Sequence, residues 1–432
     1  MIKSWLMALS LLITLLPWQA HALLTIEITG GSEAALPIAV VPFGNEGFAA
    51  PEDISEVIRN DLASSGRFAP LPKGDLISSP HDKSEINFKD WRLLRSEGLL
   101  VGKVSSVDGE TYQVQFQLFD VYKSQQLIGK RYQVPASGLR RLAHQISDLI
   151  YQTLTGEVGV FSTRLAFVSV VNTPAGKKRY ALQVSDADGA NPRSVLQSKQ
   201  PILSPSWAPD GERLSYVSFE NGKAEVFVQE MRSGRRDSVA AFKGLNSAPS
   251  WSPDGKKLAL TLSKAGNPEI YVLELASGNL SRVTHNSQAI DTEAVWMPNG
   301  RELLFTSDRG GRPQIYKVSA DGGRASRVTF EGRYNASADI SADGRFMTMV
   351  HGLNGKYYIA VQDLDSGAVQ VLTETGQDES PSFAPNSRNI LYATEQNGKG
   401  ILAAVSVDGR IHQRLGESGS DVREPAWSPI RK

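Results

Sequence analysis

Pro205-Ser206-Trp207-Ala208-Pro209-Asp210-Gly211 recurs as Pro249-Ser250-Trp251-Ser252-Pro253-Asp254-Gly255 and as Ala294-Val295-Trp296-Met297-Pro298-Asn299-Gly300. Three weaker copies follow: Asp339-Ile340-Ser341-Ala342-Asp343-Gly344, Pro381-Ser382-Phe383-Ala384-Pro385-Asn386-Ser387 and the terminal Pro425-Ala426-Trp427-Ser428-Pro429. The large apolar residue of the motif falls at 207, 251, 296, 340, 383 and 427, with spacings of 44, 45, 44, 43 and 44. So regular a period marks a repeat architecture. Within a unit, stretches such as 257–263, 269–275 and 280–284 read as strands joined by Ser-Gly or Asp-Gly turns, and the motif supplies a fourth. Four antiparallel strands per repeat make one propeller blade, and the 3.6-residue stripes of a helical repeat are absent.

The motif has a local cause. Proline presets φ, Asp bonds the backbone ahead, and Gly takes the left-handed position, so the chain reverses between the motif strand and the next. The Trp, Ile or Phe before it is expected to wedge between adjacent blades as a core residue. At the ends of the region, 165–171, 180–185 and 193–196 supply three strands with no motif strand ahead of them, while 425–428 is a motif strand with nothing after it. Pairing the last strand into the first blade closes the ring and leaves no open sheet edge. The expectation is an all-β six-bladed propeller of WD40-like repeats over 161–432.

Ahead of it, 37–160 alternates between periods of about two and about 3.6, as helices packed on a sheet do. A strand at 38–43 leads to a helix capped by Asp53 and stopped near Gly66. A second helix is expected over 88–97, ending at Gly98. Strands at 99–107 and 110–120 flank the hairpin dipeptide Asp108-Gly109, and 127–134 adds another. Leu139, Leu142, Ile146, Leu149, Ile150 and Leu154 form one apolar stripe, closed by Gly156. This is an α/β domain. The segment 23–36 has no clear period and reads equally as an extra edge strand or a mobile arm, with Gly30-Gly31 as linker. Residues 1–22 read as a secretory signal peptide: Lys3, an apolar run over 5–16, then Ala20-His21-Ala22 for cleavage near Ala22.

The chain has 432 residues, 46 Lys and Arg against 46 Asp and Glu, and no Cys. Zero net charge without a basic block argues against general nucleic-acid binding. Missing cysteine removes thiol nucleophiles, disulfides and Cys-ligated zinc. The six His are scattered and never at ligand spacing. No Gly-rich phosphate loop joins a strand to a helix, Gly416-Glu417-Ser418-Gly419-Ser420 fails the nucleophile-elbow pattern at its last position, and the motif Asp and Gly are adjacent, unlike sialidase boxes. No catalytic residue, cofactor or metal ligand is assigned. What remains is the channel mouth, lined by the loops 200–204, 245–248, 290–293, 334–337, 377–380 and 420–424. These carry Asp291, Glu293, Asp378, Glu379, Asp421 and Glu424 against Arg333 and Arg423. Such a rim suits a docked protein segment, a divalent cation in the channel, as in lactonase-type propeller hydrolases, or simple solvation.

The whole arrangement resembles the TolB family of periplasmic propellers of the Tol-Pal system. The likeness rests on the order of signal peptide, α/β domain opening with Pro37-Ile38-Ala39-Val40-Val41-Pro42-Phe43, and Pro-Ser-Trp-Ser-Pro-Asp-Gly propeller. It extends through Leu262-Ser263-Lys264 and Thr306-Ser307-Asp308-Arg309-Gly310-Gly311-Arg312-Pro313-Gln314-Ile315-Tyr316-Lys317-Val318. The resemblance implies a non-enzymatic periplasmic adaptor that supports outer-membrane integrity and constriction at division. It implies that the lipoprotein Pal binds the propeller mouth, at Ser204, Leu245, Ala248, Thr292 and Glu293 with their neighbours Asn335, Asp378, Glu379 and Arg423. It implies that TolA binds the arm, at Leu23, Thr25, Ile26, Glu27 and Ile28. Bacteriocins are a further possible occupant of the mouth, and membrane association would come only through partners. The family pattern has His where Leu245 stands, which replaces a polar contact by packing.

Overall fold

The computed structural model describes residues 25–28, 35–45, 50–173, 175–415 and 420–431. The signal-peptide reading over 1–22, Leu23 and the segment 29–34 lie outside them. Among the described residues no helix is long and apolar enough to cross a membrane.

The arm contributes strand β1 (Thr25–Ile28), which belongs with the propeller. The α/β region holds β2 (Leu36–Val40), β3 (Gly44–Asn45), β4 (Phe68–Pro70), β5 (Gly98–Ser106), β6 (Thr111–Asp120) and β7 (Gln125–Pro135). Its helices are α1 (Ile54–Ser64), α2 (Phe88–Leu93) and α3 (Leu139–Thr155). The sheet order is β4-β2-β5-β6-β7, with β3 also on β5. β2 lies parallel to β4 and β5, and β5 to β7 are antiparallel. Ile38 and Val40 join the core under α1 and α3, whereas Ala39 and Val41 join a second core with Trp91 of α2. Burial on both faces explains why β2 reads as an unbroken apolar run.

Local chemistry sets the element ends. Asp53 Oδ1 accepts the Glu56 amide at 3.0 Å, capping α1. Gly156, at φ 75°, closes α3 by donating to Gln152 O at 2.9 Å. Asp108 Oδ1 accepts the amides of Glu110 and Thr111 at 3.0 and 2.6 Å, holding the hairpin. One helix end departs from expectation: α2 stops at Leu93, and Gly98 opens β5 instead of terminating a helix. Packing is the reason, because a Cβ at Gly98 would stand 3.2 Å from Ile38 Cγ1 in the neighbouring strand.

The propeller has six blades. Blade I pairs Asp421–Trp427 with Arg164–Asn172, then Lys178–Asp186 and Arg193–Ser198, so the last strand of the chain closes the ring as expected. The inner strands of blades II to VI are Ile202–Trp207, Asn246–Trp251, Asp291–Trp296, Tyr334–Ile340 and Glu379–Phe383. β1 pairs antiparallel with Ile411–Leu415, the outer strand of blade VI, from Thr25↔Arg414 to Ile28↔Ile411. Of the two readings of the arm, the described part is thus an edge strand.

The motif aromatics stitch neighbouring blades. The indole N–H of Trp207 donates to Ala426 O, that of Trp251 to Ser206 O and that of Trp296 to Ser250 O, at 3.2, 3.1 and 3.2 Å. All three rings are buried. In the fifth copy, which lacks Trp, the Phe383 amide donates to Asp339 at 2.7 Å; the sixth keeps its Trp, but the Trp427 indole donates to Thr163 Oγ1 at 2.8 Å and its amide to Ser382 Oγ at 3.0 Å. The Asp-Gly turns behave as the motif requires. Asp210 Oδ1 accepts the amides of Glu212 and Arg213 at 2.8 and 3.1 Å, and Gly211 sits at φ 66°.

The α/β region sits against the end of the ring where each inner strand finishes. Arg388 and Asn386, in the turn after the inner strand of blade VI, reach Glu157 at 3.0 Å and Val158 O at 3.1 Å. Gln413 donates to Ser64 O. The mouth, where the inner strands begin, therefore opens on the opposite end.

Candidate functional site

Each inner strand enters the channel through the same irregularity. The strand register slips by one residue in all six blades, between 203 and 206, 247 and 250, 292 and 295, 336 and 339, 379 and 382, and 423 and 426. At each slip one non-glycine residue takes a left-handed backbone: Ser204, Ala248, Glu293, Ser337, Ser380 and Glu424, with φ between 47° and 54°. Such residues cost on the order of 1–3 kcal/mol apiece and persist only where surrounding contacts impose them. All six line one cavity of about 420 Å³, the propeller channel.

Two of these bulges carry carboxylates that hold the next blade. Glu424 accepts the amide of Ser204. Glu293 Oε2 accepts the amide of Ser337 at 3.1 Å and the hydroxyl of Thr306 at 3.0 Å. Burial pushes Glu424 up to about 7 against the pull of the Ser204 amide, with the carboxylates of Glu379 and Glu293 adding to the rise. Glu293 is thus part of the ring's internal bonding as well as of its lip.

The other mouth residues separate into two layers. Leu245 is exposed, and its amide is held by Ser263 Oγ at 2.7 Å. Thr292 is half-buried, accepting from Thr261 Oγ1 at 3.3 Å. Glu379 and Arg423 are exposed, the latter paired with Asp421 at 3.1 Å. Asn335 and Asp378 lie beneath the surface instead of on it. Asn335 donates to Gln314 at 2.9 Å and Glu331 O at 2.8 Å, and His351 Nδ1 stands 2.8 Å from its Oδ1. Asp378 accepts the hydroxyls of Thr373 and Thr375. Both are spent on shaping the loops, because a polar side chain that is buried must find partners inside. Asp291 is likewise buried, bonded to Ser307 at 2.6 Å and Arg309 at 2.7 Å.

Reading the rim for charge missed its apolar groups other than Leu245. Phe330, Ile290, Leu353, Tyr357 and Leu245 are 73, 51, 47, 43 and 37% exposed, and the blade topology puts all five at the mouth end. A signal was present in Leu353-Asn354-Gly355-Lys356-Tyr357, where a tight turn with Asn354 at φ 53° and Gly355 at φ 80° leaves its flanking apolar residues with no interior to enter. No group of three His or carboxylate side chains among the described residues gathers in the channel to hold a cation. Among the described residues, the one group of three His or carboxylate side chains with ligand atoms within 4.8 Å of one another is Asp61, His144 and Asp188, at the domain junction.

Profiles describing the TolB amino-terminal domain and the TolB beta propeller domain match residues 24–127 and 151–431. The chain belongs to the TolB family. A Tol-Pal system protein TolB from Nitrosococcus oceani is 62% identical over 97% of both chains, and one from Xanthomonas campestris pv. campestris is 47% identical over 99% of this chain and 98% of its own. The crystal structure of TolB from Acinetobacter baumannii superposes with a TM-score of 0.85 at 41% identity, covering 94% of this chain and all of that one. TolB is a family of non-enzymatic Tol-Pal proteins of the cell envelope, which disposes of the hydrolase alternative.

Proposed function

We propose that this chain is a periplasmic adaptor that docks the folded soluble domain of Pal on the channel mouth and engages TolA through the arm at 23–36. On this reading it supports outer-membrane integrity and constriction at cell division. The observation that carries it is the mouth itself: an exposed apolar set around a channel whose six entrances are held in one strained conformation. Exposed apolar groups next to fixed polar ones favour a folded partner over a small substrate. The contact set is Ser204, Leu245, Ala248, Thr292, Glu293, Glu379 and Arg423, with Ile290 and Tyr357 added and Asn335 and Asp378 supporting from below. The arm suits exchange, because a four-residue edge strand adds little pairing energy and detaches at small cost.

The test is calorimetric titration of the mature chain with soluble Pal and, separately, with the TolA domain. Leu245→Glu, which places a charge on an exposed position, should weaken Pal binding by about tenfold or more without altering the melt. Deleting 23–36 should abolish TolA binding and leave Pal binding largely intact. Unchanged Pal affinity in Leu245→Glu, or equal loss of both partners on deleting the arm, overturns the division of labour.

A further inference from the structure

At the opposite end from the mouth, five arginines line one cavity of about 430 Å³ between the α/β region and the ring. Arg141 comes from α3, Arg164 and Arg193 from blade I, Arg232 from the turn before the outer strand of blade II, and Arg431 from the chain beyond the closing strand. The cavity's two carboxylates are already engaged. Glu212 pairs with Arg431 at 3.1 Å, and Asp186 faces Arg140 at 3.6 Å and accepts from Asn191 at 2.9 Å. Arg164 donates to Gly211 O and lies over the Trp207 ring at 4.7 Å. The side chains of Arg141, Arg193 and Arg232 are exposed and have no hydrogen-bond or ion-pair partner among the described residues.

One further observation points to missing negative charge. Burial brings Arg164 down to about 10, and Arg431, Arg141 and Arg193 push the same way against Glu212. His144 lines the same cavity and is 2% exposed; its Nε2 has no hydrogen-bond partner, although its charge is already faced by Asp61 at 2.8 Å and Asp188 at 4.0 Å. Like charges gathered in a partly enclosed space repel unless a counter-charge enters.

We propose that this cavity binds a small phosphate-type anion of two or more charges, clamped between α3 and blades I and II. Arginine forks bind phosphate and carboxylate alike, but these five approach from separate elements around the cavity. A tetrahedral phosphoryl group accepts donors from several directions, whereas a planar carboxylate takes forks in one plane. Because Arg141 and His144 belong to α3 and the other four to the propeller, the anion also ties the two regions together.

The test titrates the mature chain with inorganic pyrophosphate at constant ionic strength, beside citrate, and beside vesicles of phosphatidylglycerol in phosphatidylcholine. Saturable pyrophosphate binding with a raised melting temperature is expected, with citrate weaker. Arg193→Ala/Arg232→Ala, which removes two exposed side chains without internal partners, should bind at least about tenfold more weakly with an unchanged melt in the absence of anion. Vesicle binding that pyrophosphate displaces would identify a lipid headgroup as the source; pyrophosphate binding without vesicle binding would identify a free anion. No saturable binding, or a double variant that binds as well as the parent, overturns the site. Citrate binding more tightly than pyrophosphate overturns the phosphate assignment.

Discussion

The propeller buries its apolar surface with one contact used over and over, while the α/β region uses many contacts once each. In the ring, a motif ring system bonds the preceding blade through Trp207, Trp251 and Trp296, and an Asp-Gly or Asn-Gly turn follows each. In the α/β region, Trp91 packs under β2 and β5 and Gly98 fits against Ile38, with no second copy of either arrangement. Repetition makes the ring's stability depend on closure, since each blade lends its edge to the next. Single-copy packing makes the other region depend on individual side chains, so damage there stays local.

Removing the closing strand strikes this difference hardest. A chain ending at Ser420 leaves blade I without its inner strand and exposes two sheet edges, so the propeller should lose its cooperative unfolding transition while the α/β region retains its own. Urea unfolding followed by circular dichroism and hydrogen exchange checks it; an unchanged transition would mean that closure contributes little.

Paired tryptophan truncations sharpen the contrast. Trp251→Ala and Trp91→Ala should each cost about 3–5 kcal/mol, the scale for deleting a buried aromatic. Hydrogen exchange should rise across blades II and III in the first and stay within the α/β sheet in the second. Spread of the Trp91→Ala effect into the propeller would contradict the local character assigned to that region.

The smallest effect tests the joint between the two. His144, on α3, has Asp61 of α1 at 2.8 Å. Burial pulls its pKa down, but Asp61, with Asp188 and Asp186 behind it, overcomes this and leaves it at about 9, above the ordinary 6.5. The folded state therefore holds a proton that the unfolded chain releases near 6.5. This contribution is complete below about 6.5, declines above it, and is lost as pH rises through about 9, on the order of 1–3 kcal/mol in all. Thermal melts at pH 6 and pH 10 should differ more in the parent than in His144→Gln. An equal difference in both would remove His144 from the coupling.

The same contrast governs what was legible beforehand. The blades, their number and the closing strand followed from a motif at a fixed period, because turn chemistry acts between neighbours in the chain. The caps at Asp53 and Gly156 were legible for the same reason. Gly98 misled, since a glycine required by a neighbouring strand has the same appearance in sequence as one that ends a helix. At the mouth, the loops were found but their layering was not: Asn335 and Asp378 look as polar as Glu379, and only packing buries them.

Repeat, ring and secondary-structure order were thus determined by the chain alone, through preferences that reach a few residues along it. The six left-handed bulges, the apolar lip and the arginine cavity were decided by the tertiary structure. Arg141, Arg164, Arg193, Arg232 and Arg431 are scattered over most of the chain, and no local preference links them. They meet because closing the ring brings the last residues beside the first blade, and α3 then lies across that seam.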